Sequence, residues 1–583
     1  MKKLLLLVFV TACLTSSLYA QKDTVVVKGM YSGGTEGSLN DAIQKAKDDG
    51  TISNTVFKLN APDLYVLTSA ITTNIGQNLE IVAPKPGNTQ QTAPAQIAWT
   101  ATGGVATDYN FQLYGDITMK NVWLRYATTE GKQVGSTFQI ANDSTTGATE
   151  KADFDGVIFD YSGAPPDGSG AVSVTAKHFV GTFKNCYFRN DIDRHLRYYG
   201  RALSFPYQTS GWHVDSVLFE NTTFANMGYV YMQEGGEYGD NVHFNHCTFL
   251  NIMMFSLESG WWHNMSVTNS VFVNPFMYGN IPAQGDPNGG IFAIAQVDSF
   301  GFDVPFTDAD RKILLANTSY VYEDWLIDWM RNNPYSQQLY QDRRDDEIPV
   351  PQPYLSDATI AFMDSVDAGG NKVFPKMNIV NMHVGSNPHF VTPPTNLDSL
   401  KVFLRKKWDD NTDAGWAYKP EAGTNFTWPL PEDMSYTNDT LLTAAMGGFP
   451  LGDLYHWFPD KYKQWEAQRS VEWNNINDIL DNGLGTPIAK DPATLPVHFK
   501  LEQNYPNPFN PTTNIKFNLP RSSEVELSVY NILGQRVMTL VNQKMQAGYH
   551  QVSFDASKLS SGMYIYRIRA GNFVSTKKMM LIK

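Results

Sequence analysis

Cysteine is almost missing from this chain, and three residues in 583 are too few for a disulfide-stapled scaffold. Cys13 lies in an N-terminal segment laid out like a targeting signal. Cys186 and Cys247 hold equivalent positions in two repeats with one repeat between them. Stacked strands at that spacing are roughly 10 Å apart, too far for a bridge, so both are read as small buried core residues. Long apolar runs are equally scarce. The run Leu4 to Val10 follows Lys2 and Lys3 and precedes Ser-Ser-Leu-Tyr-Ala at Gln21, the layout of a secretory signal cleaved after Ala20. Val10-Thr11-Ala12-Cys13 also resembles a lipobox, so a lipoprotein signal is the alternative. That run is too short to span a bilayer and no other stretch is long enough, so no transmembrane segment is expected. Positive charge is in deficit, 45 Lys and Arg against 58 Asp and Glu, net -13. It is also uneven: from His498 onward eleven basic residues face four acidic ones, +7, leaving -20 for the rest. An acidic body disfavours nucleic acid and anionic membranes as partners. No metal motif, Ser-His-Asp order or phosphate loop is present, and Gly289-Gly290 or Gly447-Gly448 alone specify nothing.

What the chain does have is a returning phrase. It reads Asn185-Cys186-Tyr187-Phe188-Arg189-Asn190, Asn221-Thr222-Thr223-Phe224-Ala225-Asn226, His246-Cys247-Thr248-Phe249-Leu250-Asn251 and Asn269-Ser270-Val271-Phe272-Val273-Asn274. Weaker copies stand at Asn121 to Leu124, Gly156 to Phe159 and Asn381 to Val384. The copies from 121 to 269 are spaced by 35, 29, 36, 25 and 23 residues, the range of a solenoid with loop insertions. Within a copy, small residues share a face with Leu124, Phe159, Phe188, Phe224, Phe249 and Phe272, a period of two and hence strand. Like residues should therefore stack over like, with the phenylalanines as a core ladder. The Asn two positions after each Phe suits the corner between strands, because Asn tolerates the left-handed conformation and can bond its stacked neighbours.

These features resemble the right-handed parallel β-helix superfamily of pectate lyases and related polysaccharide enzymes, over roughly residues 25 to 300. The expected fold is all-β: a right-handed parallel β-helix (solenoid) with a helical insertion, then a small C-terminal immunoglobulin-like β-sandwich. Residues 21–302 form the solenoid. Ser38-Leu39-Asn40-Asp41 reads as the N-cap of a helix whose face Leu39, Ala42, Ile43 and Ala46 would cover the open first coil before Gly50 ends it. Residues 303–376 read as a helical and loop insertion, with a helix from Thr307 through Leu315 and an apolar stripe at Val321, Trp325, Leu326, Trp329 and Met330. Met377 to Val384 returns to the solenoid, the Trp- and Pro-rich 390–480 has no legible fold, and 481–497 is a linker. The final segment, LEQNYPNPFNPTTNIKFNLP through KKMMLIK (498–583), gives about seven short strands. It resembles the type A C-terminal sorting domain of type IX secretion cargo, which implies contact with that machinery and release or attachment at the outer cell surface.

In the β-helix superfamily, chemistry is supplied by adjacent coils along an outer groove. Counting seven from each corner Asn pairs Gln233 with Glu258. Trp261, Trp262 and Tyr231 are the expected stacking platforms for pyranose rings, with His263 and Gln233 beside them as substrate contacts. Glu258 with Glu234 or Asp193 is the expected carboxylate pair. Arg201, or Arg197, is the candidate lyase base, and Asp191 with Asp193 are candidate Ca²⁺ ligands through hard oxygens. The expected partner is an extracellular polysaccharide, bound and cleaved by a lyase or glycoside hydrolase. The alternative is a non-catalytic adhesin or scaffold using the solenoid as a rigid spacer.

Overall fold

The computed structural model describes residues 22–100, 109–129, 138–141, 148–161, 170–192, 200–205, 213–233, 238–279, 290–333, 350–408, 416–419, 426–483 and 499–582, the last with brief gaps at 505, 520–522, 533, 546–547 and 572. The N-terminal signal and most of the linker expected from sequence lie outside these residues. The described chain is mostly β, with a 19-stranded parallel sheet and a 7-stranded parallel sheet in its body.

Register resolves the larger sheet into two ladders. The first runs from Asp23–Val27 through Thr55–Leu59, Thr149–Asp155, His178–Lys184, His213–Glu220 and Gly239–Asn245 to Trp262–Thr268. The second includes Val122–Thr128, Ile158–Asp160, Tyr187–Asp191, Thr223–Met227, Thr248–Ile252 and Val271–Val273. The smaller sheet is a third ladder, from Ile71–Thr72 through Val172–Val174, Arg201–Phe205 and Tyr229–Gln233 to Leu257–Glu258. Each coil thus has three sides and a shared interior.

The interior is stacked aromatic. Phe159, Phe188, Phe224, Phe249 and Phe272 form one column with successive centroids 4.3, 5.3, 5.0 and 4.2 Å apart. A second column on the first ladder, Phe154, Phe183, Phe219 and Phe244, runs beside it at 5.3, 4.5 and 4.9 Å. Cys186 and Cys247 are buried free thiols, with the coil of Thr222 between them as the spacing requires.

Two lines of left-handed residues turn the corners. Asn185, Asn221, His246, Asn269, Asn317 and Asn381 join the first ladder to the second with φ between 49° and 55°, and Asn190, Asn226, Asn251 and Asn274 leave the second at 51° to 59°. Their amides form rungs, Asn251 to Asn226 at 3.2 Å and Asn274 to Asn251 at 3.0 Å.

The helix Ser38–Asp48 buries Leu39, Ile43 and Ala46 against the first coils. Its N-cap, however, is Gly37 at φ 79°; the Ser38 hydroxyl donates to the Lys28 carbonyl at 2.8 Å. A larger correction concerns Thr307 to Leu315. Lys312–Val321 is a strand, not the end of a helix, and it crosses both ladders, pairing Leu315 with Val267 and Tyr320 with Phe272. Tyr320 takes the position of the phenylalanine column, and Asn317 supplies the corner. Asp324–Asn332 is helical as the Trp and Leu stripe predicts, and Met377–Val384 is the next coil.

The described residues between 386 and 482 run back along the outside. Met434, Tyr436, Leu441, Leu451, Leu454 and Trp465 cover the outward apolar row Trp123, Ile158, Tyr187, Ala225, Leu250 and Val271 of the second ladder. The helix Arg469–Asn482 sets Ile476 and Leu480 on Leu314, Ala316 and Val380.

Candidate functional site

Alternation decides which nominated residues face out. Tyr231 is completely buried, in line with Leu203 and Leu257 by register, between the Phe205 ring at 5.6 Å and the Trp262 ring at 5.5 Å. Trp262 is equally buried, and its Nε1 donates to the Ala293 carbonyl at 3.2 Å. Gln233 is inside as well, its Oε1 accepting from the Tyr231 hydroxyl at 2.9 Å. These three are corrected from sugar contacts to core: a face sealed by its own coil cannot stack on a pyranose. The expected pairing of Gln233 with Glu258 is also corrected. Glu258 pairs with Met232, because the later coil spends one more residue in its corner than the coil of Asn226.

Arg201 is buried on the third ladder, with Nη1 donating to Ser204 Oγ at 3.2 Å and the guanidinium 5.7 Å from the Tyr229 ring. Asp191 is buried at the end of Tyr187–Asp191, beside Met227. Asp193, Arg197 and Glu234 lie outside the described residues, so no geometry for the carboxylate pair or the Ca²⁺ ligands follows. Among the described residues no group of three or more His, Cys, Asp or Glu side chains could hold a metal ion.

Trp261 and His263 do come together, on the outer side of the first ladder, and both are half-buried. His263 Nδ1 lies 2.8 Å from Asp240 Oδ1, and the ring stacks on Phe306 at 4.1 Å and 2°. Trp261 meets Phe302 edge-on at 5.6 Å. The loop bearing these phenylalanines is tied down by buried Arg311, whose Nε donates to the Trp262 carbonyl and Nη1 to the Ala295 carbonyl, each at 2.6 Å, with Nη1 also 2.8 Å from Asp308.

The same side carries a second pair that sequence reasoning missed. His178 Nδ1 is 3.0 Å from Asp215 Oδ1, and Thr149 Oγ1 approaches Asp215 Oδ2 at 3.5 Å. Asn241 Nδ2 donates to the Asp215 carbonyl at 3.1 Å and Asn264 Nδ2 to Asn241 Oδ1 at 3.3 Å, linking the pairs across coils. His178 stands just before the inward alternation of its strand begins, and Asp215 follows the inward Val214 at the register shift between the two strands. Further along the same strands, the outward Asp153, Thr182 and Leu218, aligned by register, are half-exposed. Nearer the returning segment, burial pulls the His243 pKa down to about 4, so that imidazole is neutral at neutral pH and can pair with Ser266 Oγ at 2.8 Å without an ion.

The three sides therefore differ. The second is closed by residues 386–482, the outward Ser173, Ser204 and Met232 of the third are buried, and the first presents a polar and aromatic stripe across successive coils.

After the body, three- and four-stranded antiparallel sheets form the C-terminal unit, seven strands in all, fitting a β-sandwich. Residues 503–583 match the family model of the secretion system C-terminal sorting domain. This sorting domain marks the protein for export by the type IX secretion system to the medium or cell surface. Its proline-rich opening is held by Asn504, whose Nδ2 donates to the Pro506 carbonyl and to Thr513 Oγ1, both at 3.0 Å. No curated protein and no solved structure matches the chain. Among the described residues no helix is long and apolar enough to cross a membrane.

Proposed function

We propose that the exported body is a right-handed parallel β-helix of the pectate-lyase-like kind that binds extracellular polysaccharide along the outer side of its first ladder. One observation carries this reading: two His and Asp pairs and the half-exposed Trp261 are repeated along one side of consecutive coils. Hydroxyls of an extended glycan can exchange hydrogen bonds with such pairs while an aromatic edge takes an apolar sugar face. The domain boundaries go with it: a signal ending at Ala20, a body to about residue 480, a linker, and the sorting domain.

Cleavage is the second reading. In it Glu258 with Glu234 or Asp193 is the carboxylate pair, Arg201 the base, and Asp191 with Asp193 the Ca²⁺ ligands. The alternative is a non-catalytic surface adhesin or scaffold in which the solenoid is a rigid spacer.

The test incubates the mature chain with plant, algal and bacterial glycans, following binding together with new reducing ends and unsaturated products. Binding weakened by Trp261→Ala and His263→Ala supports the proposal, and products lost in Glu258→Gln add the second reading. Absence of binding across the panel leaves the spacer.

A further inference from the structure

The returning segment carries a histidine whose setting exceeds what its helix needs. Asp453 is completely buried and caps the short helix Leu454–Trp457 by accepting from the His456 backbone N–H at 3.1 Å. That completes the cap. Yet Asp453 Oδ2 also lies 2.6 Å from His456 Nδ1 and accepts from the Thr223 hydroxyl at 2.7 Å, while Thr223 Oγ1 accepts from Trp457 Nε1 at 2.8 Å. An ionised carboxylate can only accept, so Nδ1 is the nitrogen that donates to Asp453, and Nε2 is the one left to meet a ligand.

Nε2 has no protein hydrogen bond among the described residues and is not one of the sealed, unpartnered atoms of the interior; the side chain is 18% exposed. Around it stand Tyr455 at 4.9 Å and 83°, Trp457 at 5.7 Å and Tyr187 at 5.7 Å. Tyr187 is fixed by a hydroxyl bond to Glu432 at 3.1 Å, and Lys85 Nζ sits 4.5 Å over the Tyr455 ring.

We infer that His456, Tyr455 and Trp457 form a second glycan contact, a subsite for one neutral pyranose residue, separate from the stripe on the first ladder. A sugar hydroxyl, which can donate or accept, pairs with Nε2, and the aromatic walls take the C–H face of the ring. The Lys85 cation beside Tyr455 is outnumbered by the Asp155 and Asp453 carboxylates that act on the same ring, so a neutral sugar fits better than a uronate. The inference stands on this geometry whether or not the first ladder binds.

The mature full-length chain is titrated with end-labelled neutral β-glucan, xylan and mannan oligosaccharides and with oligouronates. Trp261→Ala removes the first-ladder contribution; the binding that remains to at least one neutral oligosaccharide is expected to weaken at least tenfold on adding His456→Ala. No remaining binding, an unchanged affinity in the double variant, or preference for the oligouronate overturns the subsite. If His456→Ala lowers thermal stability, the His456 ring-proton resonance of the otherwise intact Trp261→Ala chain is the readout: it shifts on adding the oligosaccharide, and a resonance that does not move overturns the proposal. A loss with His456→Ala but none with Trp261→Ala rejects the stripe and keeps this site.

Discussion

The Asn190 side chain and the Tyr418 backbone, 228 residues apart, exchange two hydrogen bonds: Nδ2 donates to the Tyr418 carbonyl at 3.1 Å, and the Tyr418 N–H donates to Oδ1 at 2.8 Å. The corner amide thus acts toward the returning segment as a strand backbone would. Asn226 Nδ2 donates to the Pro394 carbonyl at 2.8 Å, and Asn251 Nδ2 to the Thr395 hydroxyl at 2.8 Å. The left-handed corners therefore both turn the coil and fasten its cover. Asn190→Ala forfeits these bonds and leaves Ala at φ 59°. The expected loss is about 2–4 kcal/mol, summing a left-handed penalty and two or three hydrogen bonds. Asn190→Gly relieves only the backbone part, and denaturant unfolding of both variants separates the contributions.

Phe224 sits within the continuous aromatic column between Phe188 and Phe249. Phe224→Ala is expected to cost about 3–5 kcal/mol, and Phe224→Leu much less, because the cavity lies where neighbouring coils cannot collapse. Equilibrium unfolding in guanidinium measures both.

Arg189 lies between two buried carboxylates, Asp160 Oδ2 and Glu432 Oε1, each at 3.1 Å. Burial raises the Glu432 pKa while the Arg189 charge opposes the rise. Arg189→Met strands both acids and is expected to cost about 3–5 kcal/mol. Adding Glu432→Gln should recover part of that loss, and a double-mutant cycle of unfolding free energies reads the coupling.

Glu150 is buried near Asp116, and desolvation together with that negative neighbour pushes its pKa up to about 7. The folded state therefore holds this proton more tightly than the unfolded chain. Its contribution is fully present below the unfolded value near 4 and is lost as pH rises through 7. Glu150→Gln should match the parent at pH 4 and exceed it at pH 8.5 by on the order of 1–3 kcal/mol. A parent as stable as the variant at pH 8.5 refutes the assignment.

Removing residues 498–583 should keep the body inside the cell envelope. Immunodetection in the medium, on the cell surface and in the periplasm checks this, and export of the truncated chain contradicts it.

The coils with Phe were legible because burial of one ring per turn imposes a period of two that survives loop insertion. The coil at Lys312–Val321 was not, since Tyr320 replaces Phe and the outward positions Leu314 and Ala316 are apolar because the helix Arg469–Asn482 covers them. That hid the alternation. The second column, Phe154 to Phe244, went unread because it belongs to the preceding strand, outside the phrase. Site residues suffered from corners of unequal length: counting from Asn226 and Asn251 misaligned Glu258 by one, and one residue reverses a side chain. The described residues between 386 and 482 answer to the surface they cover, so they carry no copy of the coil phrase, only short helical stripes such as Ile476 and Leu480.

That mismatch between a repeating face and a non-repeating cover has an evolutionary consequence. Many solenoids change length by duplicating or dropping a unit. Here a gained or lost coil would slide everything beyond it by about 4.8 Å: each corner asparagine would be replaced by the next, but under the cover Tyr187, Ala225 and Leu250 differ in size from coil to coil. A change in the number of turns therefore calls for a matching change in the cover, whereas loops can vary without one.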